Sequence, residues 1–134
     1  MYDKAMTVYF GMYAATMTAN ASFFWGPESP LMLPYMSKPM PAGTAGAFFS
    51  RMTGLCFGIM ALTYVFFGAP KDVWIKTTLA FHILSTPIFI LDCCLSDGSM
   101  FTPWVWWVQV GMNATLALWG LSALGGSKGK GKKK

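Results

Sequence analysis

The chain contains one histidine, His82, in the middle of a long apolar segment. An imidazole in this setting can carry a proton, coordinate the metal of a porphyrin or chlorophyll, or hydrogen-bond to a neighbouring helix. Thr78, Ser85 and Thr86 lie near its face of a helix, so hydrogen-bonded packing is the favoured interpretation. No carboxylate–histidine cluster accompanies His82, so a metal site built from protein ligands alone is not expected.

Two amide side chains, Gln109 and Asn113, are one helical turn apart and therefore share one face of a helix. In lipid, such amides hydrogen-bond to a facing helix. Their lone pairs can also coordinate the magnesium of chlorophyll. We favour interhelical hydrogen bonding, and we take His82, Gln109 and Asn113 as the ligand set if chlorophyll, with or without carotenoid, is bound.

The stretch AFFSRMTGLCFG, residues 47–58, places Arg51 about one turn inside an apolar segment. A charge within a membrane span is a functional-site candidate by default. At this shallow depth, however, a guanidinium can also reach the interface or pair with a carboxylate. Asp92 directly follows the third apolar segment on the same side. We therefore expect a structural ion pair between Arg51 and Asp92.

Small residues recur at every fourth position of the same segment and share one stripe of a helix: Gly46, Ser50, Gly54 and Gly58. Such a stripe lets a neighbouring backbone approach closely, whether in a second copy of the chain or in another helix of the same chain. We favour packing against the first apolar segment, which carries a similar stripe of Gly11, Ala15, Ala19 and Ser22.

No residue is assigned a catalytic role. The sequence has no phosphate-binding loop and no Ser/His/Asp set. His82 and Cys56 lie on different segments, and nothing in the sequence brings them together as a nucleophile and its base. We expect a protein without a catalytic centre of its own.

The elements that must position these residues follow from the composition. Of the 134 residues, 54% are hydrophobic and 11% are charged, whereas soluble domains carry about 25% charged residues. Four apolar segments, residues 5–25, 47–69, 73–91 and 103–124, are each close to the ~20 residues that cross ~30 Å of hydrocarbon as a helix. The sequence predicts an all-α integral membrane four-helix bundle over residues 1–124, followed by a flexible lysine-rich tail, residues 125–134.

The first segment also has a competing interpretation. Ala19-Asn20-Ala21 resembles the small-residue cleavage site of a signal peptide. The segment contains several tyrosines and threonines, and Asp3 lies beside its lone flanking Lys4. We therefore favour a mature first helix.

The net charge of +5 resides in the tail, because residues 1–127 hold five basic and five acidic side chains. The tail lysines are Lys128, Lys130, Lys132, Lys133 and Lys134. No basic face interleaved with aromatic residues accompanies them, so a nucleic-acid partner is not expected. The tail can dock on anionic lipid or on an acidic partner. Four spans place both termini on one side, and the distribution of lysines predicts the stromal, matrix or cytoplasmic side.

Phe49, Arg51 and Gly54 form an aromatic–x–Arg–x–x–Gly element at the start of the second segment. A loop containing WGPES precedes this element, and a His-bearing segment and a Trp-rich last segment follow it. Over most of residues 5–124 this order resembles small four-helix membrane proteins of the DoxX-like kind. The resemblance implies a four-span topology and assigns no catalytic residue. The lysine tail and the pair Cys93–Cys94 depart from the pattern.

These features predict a non-catalytic accessory subunit of a large membrane complex that contacts other membrane-protein subunits and lipids. A photosystem–antenna supercomplex of the thylakoid is the favoured context, and a mitochondrial respiratory or ATP-synthase complex is the alternative. The rival from another class is a small membrane enzyme or lipid-binding protein with an intramembrane polar pocket. In that rival, Arg51, an acid from 92–97, His82 and Gln109 converge on the pocket.

Overall fold

In the computed structural model, which describes residues 1–29, 34–41, 43–96 and 100–128, the chain forms a helical bundle. Its helices are α1 (Tyr2–Trp25), α2 (Ala45–Val65), α3 (Lys71–Ile88) and α4 (Pro103–Lys128), and a π-helical turn, Phe89–Cys94, extends α3. Within the described ranges there is no β-strand, only an isolated antiparallel bridge between Met36 and Phe101. The predicted all-α class with four helices is confirmed.

The small residues of α2 bring it close to α1. A Cβ atom added at Gly54 would lie 2.7 Å from Thr18 Oγ1 and 2.9 Å from Met17 Cβ. One added at Gly58 would lie 3.5 Å from Ala14 Cβ. As α2 advances, the contact moves back toward the start of α1, so the two helices are antiparallel. At these two glycines the stripe packs within the chain.

The remaining stripe positions have other surroundings. A Cβ atom at Gly46 would lie 3.2 Å from Met40 Sδ, in the loop before α2, and Ser50 lines a cavity. In α1, Gly11 has no atom within 4 Å of its Cβ position. The α1 residues that Gly54 and Gly58 approach are Ala14, Met17 and Thr18, which are not members of the predicted α1 stripe.

Aromatic side chains fill the core between α1, α2 and α3. Phe10 is completely buried. Its ring centroid lies 5.1 Å from that of Phe57, 5.1 Å from that of Phe81 and 5.7 Å from that of Trp74. All three contacts are edge-to-face, an arrangement that aromatic pairs prefer.

Asp3 ties three helices together at one end of this core. Its carboxylate accepts a hydrogen bond from Tyr64 Oη of α2 at 2.9 Å and lies 3.0 Å from Lys71 Nζ of α3. Its backbone carbonyl accepts from Trp74 Nε1 at 3.2 Å. Three helices thus meet at a single acidic residue, Asp3, to which the sequence alone gives no role.

The first and last helices meet at the same end of the bundle. The ring of Tyr2, near the start of α1, packs edge-to-face on Trp119, near the end of α4, with centroids 5.4 Å apart. A Cβ atom at Gly120 would lie 2.9 Å from Tyr2 Oη. The amino end of α1 and the carboxyl end of α4 are therefore adjacent.

Helix boundaries differ from the predicted segments where turn chemistry intervenes. The helix α2 ends at Val65, and Gly68 in the following turn has φ +66°, a left-handed conformation that favours glycine. In α3, Pro87 has no amide hydrogen to donate, and the helix widens into the π-helical turn just after it. As predicted, α4 begins at Pro103. The hydroxyl of Thr102, the residue before this helix, has no hydrogen-bond partner in the described part of the chain, so Thr102 contributes only its backbone carbonyl to the start of α4.

Among the described residues, two helical stretches are long and apolar enough to cross a membrane, judged by length and composition. They are Ala45–Val65 and Lys71–Cys94.

Candidate functional site: a cavity with a polar wall

A cavity of about 510 Å³ lies between the helices and the loop that joins α1 to α2. This volume is within the range of small-molecule sites, roughly 300 to 1,000 Å³. All four helices contribute to its lining, and more than half of the lining residues are aromatic. They are Tyr9, Tyr13, Met17, Trp25, Tyr35, Met36, Met40, Ser50, Thr53, Phe57, Phe81, Ser85, Ile88, Phe89, Phe101, Trp106 and Gln109.

The cavity lining includes exposed residues of both α2 and α3, which indicates that the cavity opens between these two helices. Thr53 of α2 and Ile88 of α3 line the cavity and are also exposed. Both belong to the two stretches that are apolar enough to cross a membrane. A molecule entering here would therefore pass between two apolar helices.

One wall of the cavity is polar. Tyr13 Oη and Tyr35 Oη each donate a hydrogen bond to Gln109 Oε1 at 2.9 Å. Gln109 Nε2 donates to Tyr9 Oη at 2.8 Å. We call Tyr9, Tyr13, Tyr35 and Gln109 the tyrosine–amide cluster. It joins α1, the following loop and α4 around one amide group.

Behind this cluster, a second set of hydrogen bonds leads to the histidine. Gln109 Nε2 donates to Asn113 Oδ1 at 3.1 Å, and Asn113 Nδ2 donates to Ser85 Oγ at 3.1 Å. His82 Nδ1 lies 3.2 Å from the same Asn113 Oδ1. Because a carbonyl oxygen only accepts, His82 Nδ1 carries a hydrogen and donates it. The other ring nitrogen, Nε2, lies 3.4 Å from Met6 Sδ.

Backbone hydrogen bonds fix Tyr35 although it lies in a loop. The loop is held to α1 by Met36 N, which donates to the carbonyl of Trp25 at 2.7 Å. The carbonyl of Tyr35 accepts from Thr102 N at 3.0 Å and from Trp106 Nε1 at 2.9 Å. These bonds hold the phenol over Gln109. Burial also raises the pKa of Tyr35, against a smaller lowering by the hydrogen bond with Tyr13, so its hydroxyl stays protonated.

His82, Gln109 and Asn113, the predicted ligand set, lie together in this structure. His82 and Asn113 are completely buried, and Gln109 is 2% exposed. Each is bonded to at least one of the other two. Binding of chlorophyll through them stays a prediction, and for either amide oxygen to coordinate magnesium a hydrogen bond of this network has to open.

The predicted ion pair between Arg51 and Asp92 is not present. Both residues are exposed, and the ion pairs between described residues involve Asp3 and Asp72 instead. The reason is the arrangement of the helices, since α2 packs on α1 whereas the π-helical turn that contains Asp92 packs on α3 and α4. Arg51 and Asp92 also do not line the cavity, and Asp97 lies outside the described residues.

The tail lysines can be placed only in part. Lys128 is the last residue of α4, and Lys130, Lys132, Lys133 and Lys134 lie outside the described residues. Their predicted role in docking on lipid or on a partner stays a prediction.

The three tyrosines of the cluster are the residues that sequence reasoning missed. Tyr9 and Tyr13 are one helical turn apart on α1, which is the same spacing as Gln109 and Asn113 on α4. Two polar pairs with matching spacing could have indicated facing helices. No comparable signal exists for Tyr35, because it lies in an irregular loop.

A comparison with family models, curated proteins and solved structures gives no match for the chain.

Proposed function

We propose that this protein is an integral membrane four-helix bundle that acts as a non-catalytic accessory subunit of a larger membrane complex. The observation that carries this proposal is the apolar outer surface of the helices. Large side chains on that surface are mostly solvent-exposed in the isolated chain, including Val8 at 69%, Leu118 at 69%, Leu84 at 68% and Phe49 at 66%.

The distribution of polar groups supports the same proposal. His82, Asn113 and Gln109 are turned into the bundle, while large apolar side chains of all four helices are turned outward. Monomeric soluble proteins rarely expose contiguous apolar patches larger than a few hundred Å². Lipid tails and apolar faces of neighbouring subunits are environments in which this outer surface has no hydration cost.

Four spans would place the adjacent ends of α1 and α4 on one membrane side, and the lysines of the tail favour the stromal, matrix or cytoplasmic side. A photosynthetic supercomplex in the thylakoid is the first context to test. A mitochondrial respiratory or ATP-synthase complex is the second.

The experiment has two stages that can fail separately. Membranes containing the tagged protein are washed with alkaline carbonate, and retention in the pellet is expected for an integral membrane protein. The protein is then purified in a mild detergent, and the chains that migrate with it on a native gel are identified by mass spectrometry. Release by carbonate would refute membrane insertion, and migration as a free monomer would refute the accessory role.

An absorption spectrum of the purified complex tests the pigment. Bound chlorophyll that is lost on His82→Leu and retained on the neighbouring Ile83→Leu would support His82 as a ligand. Ile83 is a suitable control because it is exposed on the same helix. A colourless complex would refute pigment binding.

A second candidate function is the binding of an apolar small molecule, and the cavity favours it. The cavity has the volume of a ligand site and one polar wall, and it opens between two apolar helices. Solvent extraction of the purified protein followed by mass spectrometry is expected to release a stoichiometric apolar compound. A Thr53→Phe variant, which places a ring at the opening, should lose that compound.

A further inference from the structure

The chemistry of the cavity wall identifies the ligand more closely. We propose that the cavity binds a neutral, apolar, ring-sized molecule that carries a carbonyl oxygen at one end, with that oxygen directed at the tyrosine–amide cluster. This inference rests on the second candidate function, that the cavity is a binding site.

The tyrosine–amide cluster is rich in hydrogen-bond donors. The tyrosine–amide cluster contains three phenol hydroxyls, and each carries one hydrogen. Tyr13 and Tyr35 both donate to Gln109 Oε1 and occupy its two lone pairs. Tyr9 Oη accepts from Gln109 Nε2, and within the cluster the hydroxyl hydrogen of Tyr9 has only the neighbouring phenol of Tyr13 as a partner. A ligand that accepts can take this hydrogen, because Tyr13 Oη then still keeps its own hydrogen bond to Gln109 Oε1.

The hydroxyls of Tyr13 and Tyr35 compete for one acceptor, Gln109 Oε1. Tyr13 Oη and Tyr35 Oη lie 3.3 Å apart, so two donors crowd one acceptor. A ligand oxygen near them can accept from either hydroxyl without leaving Gln109 Oε1 unpaired. A carbonyl oxygen suits this wall because it accepts two hydrogen bonds and brings no further donor.

The described residues that line the cavity carry no charge. No aspartate, glutamate, lysine, arginine or histidine is among the described residues that line the cavity. An ionised ligand would lose its hydration there without an opposite charge to replace it, which is strongly unfavourable. The ligand is therefore neutral.

Aromatic rings determine the shape of the cavity wall. The rings of Trp25, Tyr35 and Trp106 follow one another along the wall, with centroids 4.6 Å apart for the first pair and 5.4 Å apart for the second. Phe89 lies against Trp106 with centroids 4.8 Å apart. Walls built from ring edges and faces favour a flat apolar body over a flexible polar one.

A matched set of probes tests the inference. The first is 2-acetylnaphthalene, which has the ring and the carbonyl. The second is 2-ethylnaphthalene, which has the same shape with a methylene in place of the carbonyl, and the third is 2-naphthoate, which is charged at neutral pH. Binding is measured by equilibrium dialysis of the full-length protein in detergent micelles against protein-free micelles at the same detergent concentration.

The ketone is expected to bind about three- to tenfold more tightly than the hydrocarbon, as follows from one net hydrogen bond. The carboxylate should bind more weakly than both. Tyr9→Phe should bring the ketone close to the hydrocarbon and leave the hydrocarbon's affinity unchanged. Tyr64→Phe removes a hydroxyl from the far end of the core, where it binds Asp3, and should preserve the difference.

The opening provides a second pair of variants. Thr53→Phe should weaken both neutral probes more than about tenfold, because the ring occupies the opening. Thr115→Phe is its control: Thr115 is also exposed and also bonds the carbonyl four residues earlier, but it does not line the cavity. It should bind both probes as the unmodified protein does.

The outcomes separate the two levels of the proposal. If neither neutral probe binds above protein-free micelles, the cavity is not a binding site and the second candidate function fails with this inference. If ketone and hydrocarbon bind equally, or if the carboxylate binds as well as the ketone, the cavity stands as a site and the neutral carbonyl ligand is refuted. The comparison of probes in the unmodified protein decides these outcomes even if Tyr9→Phe folds poorly.

Discussion

The closest approach between helices, at Gly54, gives a prediction whose magnitude can be worked from the structure. A Cβ atom there would lie 2.7 Å from Thr18 Oγ1, 2.9 Å from Met17 Cβ and 3.0 Å from the backbone nitrogen of Thr18. Ordinary contact begins at 3.4 Å, so these approaches are too short by 0.4 to 0.7 Å. Since one of the three atoms belongs to the backbone, Gly54→Ala must move α2 away from α1.

Two effects of opposite sign act on Gly54→Ala. Replacing glycine by alanine inside a helix stabilises it by roughly 0.5 to 1 kcal/mol. Overpacking a close contact costs roughly 1 to 3 kcal/mol. The steric cost is the larger, so the variant should be less stable than the unmodified protein.

Gly11→Ala supplies the matched control, because Gly11 is also helical and has no atom within 4 Å of its Cβ position. The gain in helix propensity is common to both variants and cancels in their difference. Gly11→Ala should therefore be more stable than Gly54→Ala by about 1 to 3 kcal/mol. Gly58→Ala, whose Cβ would make an ordinary contact at 3.5 Å, should behave like Gly11→Ala.

The free energy of unfolding is measured by circular dichroism in mixed micelles of a mild detergent and dodecyl sulfate. Equal free energies for Gly54→Ala and Gly11→Ala, within about 0.5 kcal/mol, would refute the close packing of α1 on α2.

Three further changes probe the rest of the bundle. Asn113→Leu removes three buried hydrogen bonds and should lower the free energy of unfolding by about 2 to 4 kcal/mol. Its control, Thr115→Ala on the exposed face of α4, should change the free energy of unfolding by less than about 0.5 kcal/mol. Similar values for the two variants would contradict a stabilising role for the hydrogen bonds of Asn113. Desolvation alone raises the pKa of Asp3, but hydrogen bonds led by that from Lys71 hold it below its ordinary value of 3.8. The ionised carboxylate therefore stabilises the folded state above pH 3.8, and this stabilisation is lost progressively as the pH falls below 3.8. The melting temperature should fall between pH 6 and pH 3, and it should fall less in Asp3→Asn than in the unmodified protein. Arg51→Met should change the free energy of unfolding by less than about 0.5 kcal/mol, because Arg51 is exposed and forms no ion pair with a described residue; a larger loss would indicate a partner outside the described ranges.

Periodicity predicts those contacts that depend only on which face of a helix a residue occupies. His82, Gln109 and Asn113 are polar positions in otherwise apolar helices, so each needs a hydrogen-bond partner inside the bundle. The structure joins them directly. Tyr35 could not be placed in this way, because its position depends on two backbone hydrogen bonds that follow no period, one between Tyr35 and Thr102 and one between Met36 and Trp25.

The Arg51–Asp92 prediction shows the complementary weakness. Membrane depth and sidedness can be predicted from a sequence, and the four-span prediction places both residues on the same side of the membrane, Arg51 near the start of the second segment and Asp92 just after the third. Which helix neighbours which cannot be read in the same way, because several arrangements bury the same apolar faces. Here α2 packs on α1, and Arg51 and Asp92 form no ion pair although the sequence predicts that both lie on the same side of the membrane.

The choice of neighbours in this bundle needs forces other than apolar burial. If the helices lie in lipid as proposed, their apolar faces gain little by exchanging lipid for protein, so close packing and hydrogen bonds must select the arrangement. Gly54 permits the close approach of α2 to α1. Gln109 joins α4 to α1 through Tyr9 and Tyr13, and Asn113 joins α4 to α3 through His82. Because Gln109 fixes α1 and α4 while its tyrosine partners line the cavity, the same hydrogen bonds that select the fold also shape the wall that faces a ligand. A ligand that accepts from these hydroxyls should therefore stabilise the bundle as well as occupy it.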